Sequence, residues 1–214
     1  MLLSYNEILK RATEPQKYGE VYALGKGLPI IEPFNKKNLQ GVSYDVHLSE
    51  TIMKQKNENN IIHLNSKSEI DDMFTECDIR NGYLLKPNEY ILVPLVEKFN
   101  LPDDLSGHIR PRTTMTKLGL VITSQHINPS FCGKIYVGLK NMSNCIIEIR
   151  PNISIAQCVF ETFKTSIPQE HLYRNRKNSK YQEENMFIGS KVYDEYDEDV
   201  VKQAEKLIKD IFNG

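Results

Sequence analysis

Several features that would narrow the chemistry of this chain are missing. No apolar run approaches the roughly 20 residues that a membrane-crossing helix needs, and no membrane partner is expected. Met1-Leu2-Leu3-Ser4-Tyr5 is not a basic segment followed by an apolar core, so no secretory signal is expected. The 27 Lys and Arg balance 28 Asp and Glu to a formal charge of −1. That balance argues against broad, charge-driven binding of nucleic acid, and an anionic ligand would need a local basic cluster. Cys77, Cys132, Cys145 and Cys158 stand far apart, with no C-x-x-C pair and no H-x-E followed by one. Zinc-activated water, as in zinc-dependent deaminases, is therefore set aside, and no side-chain metal site is expected. Three of the four lie in strand-like runs, where buried reduced thiols are the usual outcome, and a reducing cytoplasm is the simplest home. A Walker-type glycine-rich loop and a nucleophile elbow are also lacking.

What is present is one chain of 214 residues, enough for a sizeable core with a small appendage. Leu3, Ile8 and Leu9 behind Ser4 predict a short N-terminal helix with Ser4 as its N-cap. Gly41 to Leu48 alternates apolar and polar residues, which predicts a half-buried strand. Lys54 to Asp72 is polar and Asn-rich and reads as a long surface loop or ragged hairpin. Short strands are predicted at 28–31, 83–85, 90–95, 105–109, 120–123, 134–140, 145–149 and 153–163, with a Lys86-Pro87-Asn88-Glu89 turn. Strands at that spacing predict a mainly β sandwich or jelly roll. Beyond the acidic run 194–199, Val200, Ala204, Leu207, Ile208 and Ile211 share one helical face, so a packing helix is expected at the C-terminus. The expected boundary divides a domain at 1–191 from this extension at 192–214.

Six motifs then occur in a particular order: Ser43-Tyr44-Asp45, Leu85 to Glu89, Leu101-Pro102-Asp103-Asp104-Leu105, Arg112 to Gly119, Ile127 to Gly133, and Arg150-Pro151 to Phe160. Each is weak alone, but together the series resembles the dCTP deaminase branch of the dUTPase superfamily. The resemblance implies a distorted jelly-roll or β-barrel subunit, assembled as a homotrimer with nucleotide sites between subunits.

The phosphate signature of that family, Arg-Ser-Ser-Leu-x-Arg, appears as Arg112-Thr113-Thr114-Met115-Thr116-Lys117. Hydroxyls donate to phosphate oxygens and the cations balance charge, although Lys117 lacks the planar fork of Arg. Pro111 stands where the family has Gly, removing a backbone donor. From the residues alone, Arg112 and Lys117 are equally ordinary surface charges. Tyr173-Arg174-Asn175-Arg176-Lys177-Asn178-Ser179-Lys180-Tyr181 resembles the tail that closes over the triphosphate, which makes Tyr173 and Lys180 phosphate ligands. Mg²⁺ is expected only as a companion of a bound triphosphate. Glu184 stands where many relatives place a base-contacting Gln, and Gln157 is a candidate ligand or subunit contact or simply an outward-facing polar residue.

The acids differ most. Ile127-Asn128-Pro129-Ser130-Phe131-Cys132-Gly133 carries Asn128 in the place of the carboxylate that helps to activate water and to bind the sugar. Asn128 can bond a deoxyribose but cannot act as a general base near neutrality. Gly138 falls where dCTP deaminases carry a proton-relaying Glu, and it is expected to leave extra room beside the base. Glu148 and Glu161 are the nearest alternative acids, and His126 is a weak candidate base. The leading expectation is thus a nucleotide-binding protein with impaired catalysis that senses, sequesters or otherwise acts by binding. An active dCTP deaminase or dUTP diphosphatase, and a structural trimer with a vestigial pocket, are the alternatives.

Overall fold

A computed structural model describes residues 1–17, 27–56 and 61–195. The predicted helix at Val200 to Phe212 lies outside the described residues. The elements in chain order are α1 (Tyr5–Thr13), β1 (Ile31–Glu32), β2 (Tyr44–His47), β3 (Thr51–Gln55), α2 (Lys67–Asp71), β4 (Phe74–Asp78), β5 (Tyr83–Leu85) and β6 (Tyr90–Asn100). They continue with β7 (Leu105–Pro111), α3 (Thr113–Lys117), β8 (Leu120–Ile122), β9 (Gln125–Ile127), β10 (Cys132–Asn141), β11 (Ile147–Ile149) and β12 (Ser154–Thr162). One sheet runs β4-β3-β6-β10-β8 with β1 also on β6; a second runs β2-β12-β7-β9; β11 and β5 form a separate pair. This is the mainly β, distorted jelly-roll arrangement expected from the strand spacing, with sheets that do not close into a barrel.

The core between these strands is aliphatic, with Tyr44, Phe99 and Phe160 as its largest fully buried side chains. The chain divides into two compact units, one of residues 1–54 and 76–186 and one of residues 55–75 and 187–214. In the second, the segment expected as a surface loop or ragged hairpin over Lys54 to Asp72 carries the short helix α2 at Lys67–Asp71, Phe74 meets Phe187 edge-on at 5.7 Å, and the Lys67 ammonium lies 5.4 Å from the Tyr193 ring centroid.

Several local departures from expectation have visible causes. Helix α1 begins after Ser4, whose carbonyl accepts from the Ile8 N–H, yet the Ser4 side chain makes no cap hydrogen bond. Strand β6 runs on to Asn100 although Pro94 cannot donate to a ladder. Pro94 faces Tyr136 and Lys98 faces Lys134, so β6 residues 95–97 stand opposite the single residue Ile135. This bulge turns Glu97, 2% exposed, towards β2. There the His47 N–H donates to Glu97 Oε2 at 2.9 Å, and His47 Nδ1 lies 2.6 Å from Oε1. His47 Nε2 lies 3.0 Å from Ser154 Oγ. Strand β2 is consequently not the half-exposed strand its alternation predicts, because Asp45 is buried and His47 is clamped across the sheets.

Candidate functional site

The first cluster forms where β7 turns into α3. Arg112 precedes the helix in an extended conformation, and its carbonyl accepts from the Met115 and Thr116 N–H groups, both at 3.1 Å. Its side chain turns back over the sheet. Nη1 donates to the Ser154 carbonyl at 3.0 Å, and Nη2 pairs with Asp45 Oδ2 at 3.2 Å. Asp45 is only 7% exposed and also accepts from Gln40 Nε2 at 3.3 Å. Gln157 on β12 faces Asp45 on one side and Arg110 on the other, and accepts from Ser43 Oγ at 3.3 Å. Gln157 thus joins the Arg112–Asp45 group. Thr113, Thr114 and Lys117 are exposed on α3, and neither threonine hydroxyl has a hydrogen-bond partner among the described residues. The segment resembling a phosphate signature is therefore a helical turn with the Thr113 and Thr114 hydroxyls unbonded among the described residues, anchored by the ion pair of half-buried Arg112 with buried Asp45.

The second cluster gathers the β9–β10 connection and the chain after Pro168. Ser130 adopts a positive φ of 65° in this connection. The Tyr173 ring meets Phe131 edge-on at 5.8 Å, the Tyr173 N–H donates to the Pro129 carbonyl, and the Tyr173 hydroxyl accepts from the Tyr181 N–H at 3.0 Å. Arg174, which carries no signal in its own motif, anchors the segment: it pairs with Asp103 and donates to Gln169 Oε1 at 3.0 Å. The neighbouring Asp104 pairs with Arg11 of α1 at 2.6 Å. The Leu101 to Leu105 motif thus supplies two anchoring carboxylates, which neither spacing nor charge made visible.

Beyond Lys180, which is half-buried, the chain continues along β10. The Glu183 N–H donates to the Cys132 carbonyl, and the Lys134 N–H donates to the Glu184 carbonyl, both at 2.7 Å. Gly133 sits at φ 154°, and a Cβ there would stand 3.0 Å from the Glu184 carbonyl oxygen and 3.1 Å from its nitrogen. The absence of a side chain lets the two backbones close. Glu184 also comes near Tyr136, whose phenol is pushed up to about 12, by burial first and then by the charges of Glu184 and Glu76.

Of the candidate acid–base groups, His126 and Glu161 lie close to one another, and His126 lies close to Asn128. His126 and His108 face each other across β9 and β7, with Nδ1 atoms 3.5 Å apart and ring centroids 4.8 Å apart. The His126 pKa is lowered by desolvation first and by His108 second, while a side-chain hydrogen bond to Asn128 and the charge of Glu161 oppose this. Its ring is therefore held neutral into mildly acidic solution. Glu148 pairs with Arg150 on the exposed face of β11. Arg112 and Asn128 share no hydrogen bond within one chain.

Gly138 corrects an expectation. It is buried, and the room foreseen beside it is filled. A Cβ built there would lie 2.5 Å from the Tyr90 hydroxyl, 2.7 Å from Tyr90 Cε2 and 2.8 Å from Thr123 Cγ2. Tyr90 faces Lys140 while Leu92 faces Gly138, so the tyrosine leans diagonally across the ladder over the glycine. The Gly138 N–H donates to Thr123 Oγ1 at 2.7 Å, and the Thr123 N–H donates to the Gly138 carbonyl at 2.9 Å.

With this geometry, residues 20–163 match the family described as dCTP deaminase-like. The chain belongs to the dCTP deaminase-like family. A dCTP deaminase, dUMP-forming, from Corynebacterium glutamicum strain R is 31% identical over 168 residues, which are 76% of this chain and 87% of that protein. A dCTP deaminase from Haloarcula marismortui is 28% identical over 199 residues, 90% of this chain and 95% of that protein. The crystal structure of 2'-deoxycytidine 5'-triphosphate deaminase from Agrobacterium tumefaciens shares the fold, with a TM-score of 0.56 at 16% identity. That match covers 75% of this chain and 48% of the other, so this dCTP deaminase-like chain spans about half the length of that protein. No group of three or more His, Cys, Asp or Glu suited to a metal ion occurs among the described residues. Cys132 and Cys158 are buried, and burial pushes the Cys158 thiol up; Cys77 is half-buried and Cys145 exposed. No described helix is long and apolar enough to cross a membrane.

Proposed function

We propose that this chain holds a pyrimidine deoxynucleoside triphosphate or a related nucleotide and acts by binding, sensing or sequestering it rather than by turning it over. The observation that carries this reading is the packing at position 138. Where dCTP deaminases carry a proton-relaying Glu, this chain has a glycine whose side-chain direction is occupied by Tyr90 and Thr123. Asn128, in place of the second carboxylate, is an amide that can bond a sugar hydroxyl but cannot act as a general base near neutrality. Losing a general acid–base group typically costs about 10²–10⁴-fold in rate, and here two carboxylate positions are changed.

In this proposal Arg112, Thr113, Thr114, Lys117, Tyr173 and Lys180 hold phosphates, Mg²⁺ accompanies a triphosphate, and Asn128, Gln157 and Glu184 meet sugar and base. In this reading the chain assembles as a homotrimer, which would bring the Arg112 cluster of one subunit to the Asn128 loop of the next. Purified protein incubated with dCTP or dUTP and Mg²⁺ is expected to release no ammonia, dUMP or pyrophosphate. The same nucleotides are expected to raise its unfolding temperature. Turnover lost in a His126→Ala variant would replace this reading with an enzymatic one.

The enzymatic reading has one observation in its favour. His126 lies beside Asn128, and desolvation lowers its pKa, so its ring is available as a base near neutrality. Absence of stabilisation by any nucleotide, with no turnover, would instead favour a vestigial pocket.

A further inference from the structure

We propose that Tyr90 reads the base in this site, donating its phenolic O–H to a ring carbonyl and so selecting uracil- or thymine-type bases over cytosine. The inference rests on the nucleotide-binding reading above and adds the class of base.

Tyr90 is half-buried, and its hydroxyl makes no hydrogen bond among the described residues. A half-buried hydroxyl without a protein partner favours a site where ligand or water supplies one. The oxygen stands 2.5 Å from the place of a Cβ on Gly138, at the root of the path a side chain at that position would follow. A ligand approaching position 138 therefore meets the phenol first. The adjacent Thr123 hydroxyl already accepts from the Gly138 N–H. Tyr136, two residues before Gly138 on β10, shares the face and feels the charge of Glu184.

The exchange of groups changes which atoms the site welcomes. An ionised carboxylate only accepts hydrogen bonds, so it favours the exocyclic amino group of cytosine. A phenol donates, and burial raises the Tyr90 pKa so that the proton stays on at neutral pH. Uracil and thymine present a carbonyl beside a ring N–H; the carbonyl suits Tyr90, and the N–H suits an acceptor such as Glu184. Cytosine presents an amino group beside a bare ring nitrogen, the reverse pattern.

The test is isothermal titration of the full chain with the α,β-imido analogues of dUTP and dCTP in Mg²⁺, comparing the native protein with Tyr90→Phe. The native chain is expected to bind the uracil analogue about tenfold tighter. Tyr90→Phe, which keeps the ring over Gly138, is expected to lose about 5–10-fold on that analogue, the worth of one neutral hydrogen bond, and under about twofold on the cytosine analogue. Equal affinity of the native chain for both, preference for cytosine, or equal losses in Tyr90→Phe would overturn the role of Tyr90 while leaving nucleotide binding intact. Failure of both analogues to bind either protein would overturn the binding reading and this inference with it.

Discussion

Replacing Gly138 by Ala is the sharpest physical probe of this site. The new methyl carbon would fall 2.5 Å from the Tyr90 hydroxyl, 2.7 Å from Tyr90 Cε2 and 2.8 Å from Thr123 Cγ2. Carbon atoms prefer separations of about 3.5–4.0 Å, so the tyrosine ring has to swing aside by roughly an ångström. Overpacking of this kind costs about 1–3 kcal/mol. Removing a glycine from a strand returns about 0.5–1 kcal/mol of backbone entropy. The expected net loss is about 0–2.5 kcal/mol, or up to roughly 10 °C in unfolding temperature for a chain of this size. In a Tyr90→Ala background two of the three contacts vanish, and the same Gly138→Ala change should be neutral or stabilising. The four proteins of the cycle, unfolded by urea at one protein concentration, should therefore show a coupling of about 1–3 kcal/mol. Gly138→Ala that stabilises the native background as much as the Tyr90→Ala background would refute the packing described here. Position 138 would then be open space, as the sequence had suggested.

Three other outcomes are expected. Arg112→Ala leaves the buried Asp45 carboxylate with Gln40 alone, which should cost about 3–5 kcal/mol, whereas Lys117→Ala on the exposed turn should leave stability within about 0.5 kcal/mol; urea unfolding separates the two. His47→Ala removes the ring that bonds Glu97 and Ser154, and should destabilise by about 2–4 kcal/mol by leaving a buried carboxylate under-satisfied; in a Glu97→Ala background the same change should cost much less, and an undiminished cost there would refute the clamp. The lowered His126 pKa means the unfolded chain binds that proton more readily. Its contribution is complete above the unfolded value near 6.5 and falls away as the pH drops through that value to the folded one. His126→Gln should accordingly unfold less sensitively to pH as the pH falls below about 6.5 than the native chain, and parallel pH profiles would contradict the desolvation described for this ring.

Much of the candidate site was legible because motif order survives where individual residues change. Arg112 to Lys117 and Ile127 to Gly133 were readable as motifs of the dCTP deaminase-like family, and Gly138 could be counted from Gly133. Other parts were invisible because they depend on residues distant in the chain. Arg174 reaches Asp103, and Glu97 reaches His47 only through a bulge opposite Pro94. The partner of Asp45 was likewise hidden: Arg112, from a different strand end, pairs with it. The helical form of Thr113–Lys117 was also missed, since five residues are too few to display helical periodicity.

What the sequence determined by itself is the short-strand, mainly β architecture and the chemical inventory at each motif. Turn residues, apolar runs and the presence of Asn128 and Gly138 in their motifs are properties of the local sequence. What only the tertiary structure decided is which space each residue occupies. Glycine at 138 is a missing side chain in sequence, but in the folded chain a tyrosine from the neighbouring strand lies across it. Close packing leaves few voids, and the antiparallel register of β6 against β10 sets which side chain fills this one.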